Sequence, residues 1–205
     1  MLKTSGIYAI TDCDNLIEKD LLEKTESILK TGVAILQYRD KQSNPEKKKQ
    51  LALKLQSLCH QNNTPFIVND DVDLAKEIAA DGVHLGKDDG DIKHARKELG
   101  SKILGISCYN DIELALAADK AGADYIAFGA FFPSPTKPDA KKAGIELVQQ
   151  AKAQLSTPIV AIGGITPENA KPLIEAKVDY LAVISGLYNS SDTIKATQSY
   201  NNLFI

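Results

Sequence analysis

The chain has 205 residues, of which 43% are hydrophobic and 25% charged, and its net charge is −3. This composition fits a globular α/β chain able to bury a sizeable core, and it gives no general reason to expect nucleic acid or a membrane as partner. Three cysteines, Cys13, Cys59 and Cys108, fit neither a disulfide framework nor a zinc spacing; with no basic-then-apolar leader and no run of 18 apolar residues, a reduced, cytoplasmic protein is expected.

Short apolar runs alternate with helical patterns along the whole chain. Ile7 to Ile10 reads as the first strand, followed by a helix over Asp20 to Lys30 that closes at Thr31-Gly32. Val33 to Tyr38 is the second strand. Pro45 to Gln61 is a long amphipathic helix with Leu51, Leu55 and Leu58 on one face. Phe66 to Val68 is a strand and Val72 to Ala80 a helix. Val83 to Leu85 and Ile92 to Leu99 repeat the pair, as do Ile103 to Ile106 and Asp111 to Ala121. Tyr125 to Phe128 is the sixth strand; a longer loop, Gly129 to Ala143, leads to a helix over Ile145 to Gln154. Pro158 to Ile162 is the seventh strand, Pro167 to Ala176 its helix, Tyr180 to Ile184 the eighth strand, and a last helix lies within Ser191 to Tyr200.

Eight βα units with near-continuous apolar strands imply a parallel sheet covered on both faces. So many regular units favour a closed (β/α)8 TIM barrel, one catalytic domain over residues 1–205, with a doubly wound open sheet as the structural alternative. Barrels place ligands at the C-terminal ends of their strands. Polar residues recur there: Gln37 and Arg39, Asn69 and Asp70, His84 and Asp89, Ser107, Lys137, Gly163-Gly164 and Ser185-Gly186.

Four constellations carry the chemistry. In Gln37-Tyr38-Arg39-Asp40-Lys41, alternation puts Gln37, Arg39 and Lys41 on one face and Tyr38 and Asp40 on the other. A guanidinium and an ammonium at a barrel mouth suit a diphosphate, and Gln37, deeper in, suits a heterocycle. In Asn69-Asp70-Asp71 one acid is expected to cap the next helix, a role assigned to Asp71, which frees Asp70 for a cation. Asp88 and Asp89 come from the next loop, and two carboxylates beside substrate phosphates are how Mg2+ is usually held. Phe131 to Pro138 is a loop stiffened by three prolines that carries Ser134, Thr136 and Lys137.

The last constellation is Pro158 to Asn169, read as a strand, a glycine turn at Gly163-Gly164 and a helix start at Thr166-Pro167-Glu168. Bare glycine backbone and a helix N-terminus form a phosphate cradle, which Ile184-Ser185-Gly186 would join from the loop after the eighth strand. The role of His84, general base or wall residue, is left open. Ser107 has no evident His/Asp pair in its sequence context, which argues against a nucleophile elbow.

Taken together, these residues resemble the thiamine-phosphate synthase family. The resemblance spans nearly the whole chain and rests on Gln37-x-Arg39-x-Lys41, Asn69-Asp70, Gly82 to Gly86 with Asp89, and Gly105-Ile106-Ser107. It continues through Gly129 to Lys137, Ile162 to Ile165 and Val183 to Ser185. It implies an enzyme, a transferase that condenses a hydroxymethylpyrimidine diphosphate with a hydroxyethylthiazole phosphate and releases diphosphate, with Mg2+ as cofactor. Carried over position by position, the segment Gln37, Tyr38, Arg39, Asp40 and Lys41, with Asn69, Ser107 and Lys137, would hold the pyrimidine diphosphate. Arg39, Lys41, Ser107 and Lys137 would be its catalytic members. Asp70 and Asp89 would bind Mg2+, Ser134, Pro135 and Thr136 would lie by the thiazole, and Gly163, Gly164, Ile184 and Ser185 would take its phosphate.

Two departures from the family's pattern stand out. Lys87 occupies a position usually held by Gln, and Ala130 and Ser134 replace the more usual Pro and Thr. Two rival readings are a thiazole tautomerase on a sister barrel and a non-catalytic phosphate-ester-binding barrel. The charged set Arg39, Lys41, Asp70, Asp89 and Lys137 argues against both. A homodimer stands as one option for the assembly.

Overall fold

Eight parallel strands pair in chain order, and the eighth closes back on the first. The computed structural model describes residues 2–87, 89–133 and 142–205. The first half of the barrel is built from β1 (Gly6–Ile10), α1 (Glu18–Thr31), β2 (Ile35–Tyr38), α2 (Pro45–Gln61), β3 (Phe66–Asn69), α3 (Val72–Glu77), β4 (Gly82–Leu85) and α4 (Ile92–Leu99). The second half follows with β5 (Ile103–Tyr109), α5 (Ile112–Lys120), β6 (Tyr125–Gly129), α6 (Ile145–Gln154), β7 (Ile159–Ile162), α7 (Lys171–Glu175), β8 (Tyr180–Val183), α8 (Ser185–Tyr188) and α9 (Thr193–Asn201). The open-sheet alternative falls with the pairing of β1 to β8, in which Ala9 stands beside Val183.

Side-chain alternation divides the apolar residues into two shells. Tyr8, Ile10, Ile35, Ile67, Tyr125, Val160 and Tyr180 fill the lumen. Ile7, Leu36, Val68, Val83, Leu104 and Leu181 face outward, packed with Leu21, Ile28 and Leu55 of the surrounding helices. Each such buried aliphatic side chain stabilises the fold by about 1.5–3 kcal/mol relative to exposure. The helix starts are marked by short polar caps: Asn44 accepts from the Lys47 amide, Asp71 from Leu74, Asp91 from His94 and Asp192 from Lys195.

Several element ends shift by two or three residues, as where α3 stops at Glu77 rather than Ala80, and three differences bear on the barrel mouth. The first is the helix expected over Pro167 to Ala176, which begins only at Lys171. Asn169 holds the preceding residues as a turn: its Oδ1 accepts from the Thr166 amide at 2.8 Å and its Nδ2 donates to the Gly164 carbonyl at 2.9 Å. A side chain that satisfies the backbone locally competes with helix formation. The second is β5, which runs three residues past Ile106; its register with β6 shifts between Ser107 and Tyr109, a β-bulge. The third is α8, a single turn directly after β8 that the sequence did not announce.

Candidate active site

The C-terminal strand ends gather the polar residues on one face of the barrel. Register sets the depth: Gln37 lies level with Ile10 and Ile67, Asn69 with His84, His84 with Gly105, and Ser107 with Ala127. Gln37 and Asn69 share the lumen face of their strands with Ile35 and Ile67, so both are aimed at the mouth.

The acidic and basic groups meet at the ends of β2 and β3. Lys41 forms an ion pair and hydrogen bond with Asp70, and both belong to a polar cavity of about 440 Å³. Asp40, Lys48, Asn69, Asp71 and Asp89 also line it. Asp70 has φ +64, and its amide donates to the His84 carbonyl at 2.8 Å. This conformation turns its carboxylate toward Asp89, whose other contact is the Gly86 amide at 2.7 Å.

Burial pushes the Asp70 carboxyl up, but the Lys41 ammonium and the hydrogen bond to Asp89 outweigh it and hold Asp70 below the usual carboxylate range. Asp89 is raised, first by burial and then by its contact with Asp70. Two carboxyls crowded together with hard oxygen donors and no sulfur are a good fit for Mg2+, which takes one or two carboxylates and completes its shell with water and substrate phosphate. Among the described residues no group of three or more His, Cys, Asp or Glu forms an all-protein metal cage. Asp88 lies outside the described residues.

Arg39 also follows β2 but is not among the residues lining this cavity. Its Nη1 reaches the Asp14 carboxylate at 3.1 Å, and its amide donates to Thr11 Oγ1 at 2.9 Å. Asp14 and Thr11 belong to Thr11-Asp12-Cys13-Asp14, the polar segment after β1, which the sequence reading passed over. The same rule that singled out the other strand ends would have found it.

Tyr38 does not present its side chain to this face, and Asp40 is held by its own loop. The Tyr38 ring stacks on Phe66 in the outer shell at 6.3 Å, and its hydroxyl donates to Asp40 at 3.1 Å. Asp40 Oδ1 accepts from the Gln42 and Ser43 amides and closes the loop. Burial pushes Asp40 up, yet those amide bonds hold it below the usual range. Tyr38 braces the Arg39–Lys41 loop from the outer shell, while Asp40 closes the loop and lines the cavity.

In space, Ser107 has a histidine partner: His84 Nε2 lies 2.8 Å from Ser107 Oγ. Neighbouring strands bring together residues 23 positions apart, which sequence context did not reveal. The other ring nitrogen, Nδ1, faces the Tyr125 hydroxyl at 3.1 Å rather than completing a Ser/His/Asp triad there. Lys87, the unusual residue of this loop, is exposed, and its amide donates to the Tyr109 hydroxyl at 3.2 Å.

Across the mouth, Gly163 and Gly164 have φ +107 and +56. Their bareness also serves packing. A Cβ on Gly163 would collide with Ala130, and one on Gly164 with the carbonyls of Phe132 and Pro133. The segment after β6 therefore packs directly on the glycine turn, tied by Phe131 N to Ile162 O at 3.1 Å and Phe132 N to Gly163 O at 3.0 Å. The N-terminal helix end beside this turn belongs to α8, at Ile184-Ser185, and not to Pro167. Tyr200 of α9 braces both loops: its hydroxyl donates to Ile165 O at 2.9 Å and lies against Gly186. Ser134, Pro135, Thr136 and Lys137 lie outside the described residues.

A second hollow, of about 500 Å³, is lined by Leu22, Leu53 and Leu58 between α1 and α2. It sits on the helical exterior and holds none of the strand-end residues.

Comparisons with known proteins identify the family. The family model described as Thiamine monophosphate synthase matches residues 7–187. The chain belongs to the thiamine monophosphate synthase family. It is 50% identical over 200 residues to the thiamine-phosphate synthase of Nitrosococcus oceani, covering 97% of this chain and 92% of that protein. It is 48% identical over 200 residues to the one from Thiobacillus denitrificans, covering 97% and 94%. Among solved structures, the thiamine phosphate pyrophosphorylase from Pyrococcus furiosus superposes with a TM-score of 0.88 at 34% identity, covering 98% of this chain and 95% of that one. Membership makes this chain an enzyme, a transferase of thiamine biosynthesis. No described helix is long and apolar enough to cross a membrane.

Proposed function

We propose that this chain, acting as one catalytic barrel in the cytoplasm, joins 4-amino-2-methyl-5-hydroxymethylpyrimidine diphosphate to 4-methyl-5-(2-hydroxyethyl)thiazole phosphate, giving thiamine phosphate and diphosphate. The observation that carries the reading is the meeting of Lys41, Asp70, Asp89 and Asn69 in one polar cavity, with Arg39 two residues before Lys41 after the same strand. Such a cavity suits a diphosphate and its cation. The glycine turn and the start of α8 supply a separate backbone site for a monophosphate.

Asp70 and Asp89 are the residues that would hold Mg2+, which when bound would neutralise charge on the diphosphate. Arg39 and Lys41 bind the diphosphate oxygens, with Lys137 assigned to the same task by resemblance. Gln37 and Asn69 orient the pyrimidine. The electron-rich aminopyrimidine stabilises a methylene cation, so the C–O bond breaks first and its electron pair leaves on the diphosphate. The thiazole nitrogen, positioned through its phosphate, then gives its lone pair to form the C–N bond. Positioning and charge stabilisation suffice, with no covalent bond to the protein.

Titration calorimetry of the pyrimidine diphosphate with and without Mg2+ tests the site. Tight binding that needs the metal, and that weakens at least tenfold in Asp70→Asn, is the expected result. Equal binding without metal, or in the variant, would remove Asp70 from this role.

A further inference from the structure

A chain of buried polar groups crosses the lumen beneath the mouth. Gln37 Nε2 lies 2.8 Å from the Tyr8 hydroxyl, and that hydroxyl lies 2.6 Å from the Tyr125 hydroxyl. Tyr125 lies 3.1 Å from His84 Nδ1, and His84 Nε2 lies 2.8 Å from Ser107 Oγ. Five strands contribute one residue each. The rings lock the arrangement: Tyr8 and Tyr125 meet edge to face at 5.5 Å, and His84 stacks on Tyr125 at 5.6 Å. Gly105 leaves the space that Tyr125 fills, since a Cβ there would overlap the phenol ring. Tyr8, Tyr125, Gln37 and His84 are all buried.

We propose that Tyr8 and Tyr125 are positioning residues that lock Gln37 and Ser107 into opposite hydrogen-bonding roles at the pyrimidine end of the site. The proposal rests on the reading that this mouth receives an aminopyrimidine. Each tyrosine hydroxyl has one proton and two neighbours, so donation must run in one direction along the chain. With Gln37 donating to Tyr8, Tyr8 donates to Tyr125 and Tyr125 donates to His84 Nδ1. With Nδ1 accepting, the ring proton sits on Nε2 and faces Ser107 Oγ. The chain ends with the Gln37 carbonyl as an acceptor and the Ser107 hydroxyl as a donor. Reversing one link alone puts two protons, or none, between a buried pair; only the whole chain can reverse. Burial raises both phenols above their ordinary range and keeps their protons in place.

The selected order matches an aminopyrimidine, whose exocyclic amine donates and whose other polar atoms accept. An analogue with an oxo group in place of the amine would need the reversed order at Gln37. Discrimination between the two is therefore a property of the buried tyrosines beneath the mouth.

Two measurements test this. The first reads the order without substrate: nitrogen NMR of His84 in the wild-type protein should show Nδ1 bare and Nε2 protonated, and Tyr125→Phe should lose that preference. A wild-type His84 protonated on Nδ1 would overturn the proposal, whatever the enzyme's substrate. The second compares kcat/KM for the amino and oxo pyrimidine diphosphates. Tyr8→Phe and Tyr125→Phe should each lower the amino-over-oxo preference about tenfold, while KM for the thiazole phosphate stays unchanged. Tyr180→Phe is the control, a lumen tyrosine whose hydroxyl donates to the Lys3 carbonyl and is not one of the five groups. If the wild type turns over and all three variants keep its preference, the inference fails while the proposed function stands.

Discussion

Lys41, at the end of β2, reaches the Asp70 carboxylate at the end of β3, and Asp70 in turn leans on Asp89 from the loop after β4. Three successive strand ends thus place one cation and two acids in contact. The ammonium neutralises one carboxylate and leaves the second crowded. A divalent ion and a diphosphate would resolve both conditions at once: the ion takes the two carboxylates and the diphosphate takes the lysine.

Removing one of the crowded acids should separate binding from folding. Asp89→Asn is expected to leave the melting temperature unchanged or raise it, because a like-charge contact disappears. Mg2+-dependent diphosphate affinity should still fall at least tenfold. Thermal melts and metal titrations on the same variant check both halves. A variant that binds metal and diphosphate normally would exclude Asp89 as a ligand.

Arg39 is placed by two contacts, its side chain on Asp14 and its amide on Thr11. Arg39→Ala is expected to cost about 1.5–3 kcal/mol of transition-state stabilisation, the scale of one hydrogen bond to a charged group. Steady-state kinetics read this as a fall in kcat/KM, with the thiazole phosphate KM little changed. Unchanged turnover and affinity would sink the assignment.

Gly164→Ala should damage stability and phosphate binding together. The position has φ +56, and the added methyl would meet the Phe132 and Pro133 carbonyls. A left-handed alanine alone costs about 1–2 kcal/mol, and displacing the neighbouring backbone adds to it. Urea unfolding should report at least that loss, and KM for the thiazole phosphate should rise. A variant of normal stability would mean that the close packing of the segment after β6 on this turn contributes nothing.

The thiols are predicted to be poor nucleophiles. Burial pushes Cys13 and Cys108 up to about 12, with nearby aspartates adding to the effect. Thiols exposed by unfolding ionise near the ordinary value of about 8.5, so the unfolded chain loses protons first as pH climbs. Their contribution is neutral below that value, and stability falls progressively from about pH 8.5 toward 12. Melting temperature should decline as pH is raised from 8 to 10, and thiol reagents at pH 8 should label the native protein slowly. Fast labelling of Cys13 would contradict the effect.

Much of the barrel was legible because each strand is a short apolar run bounded by polar caps and glycines. The boundaries of α2, α4 and α6 follow the sequence reading residue for residue. What periodicity missed has a common cause. Asn169 diverts the start of α7 by hydrogen bonds to Gly164 and Thr166, and the segment after β6 packs directly on the glycine turn, both decided by contacts that periodicity does not encode. Asp70, Asp89, Gln37 and Lys41 could be placed from strand ends alone. Tyr8 and Tyr125 could not, since a tyrosine inside an apolar run reads as core until its hydroxyl partner, 117 positions away, is seen.

The most direct test incubates the purified protein with the pyrimidine diphosphate, the thiazole phosphate and Mg2+, and follows thiamine phosphate and released diphosphate together. Equal amounts of both products, abolished by EDTA and restored by Mg2+, are the predicted result. A folded protein that binds both substrates yet forms neither product would contradict the assignment.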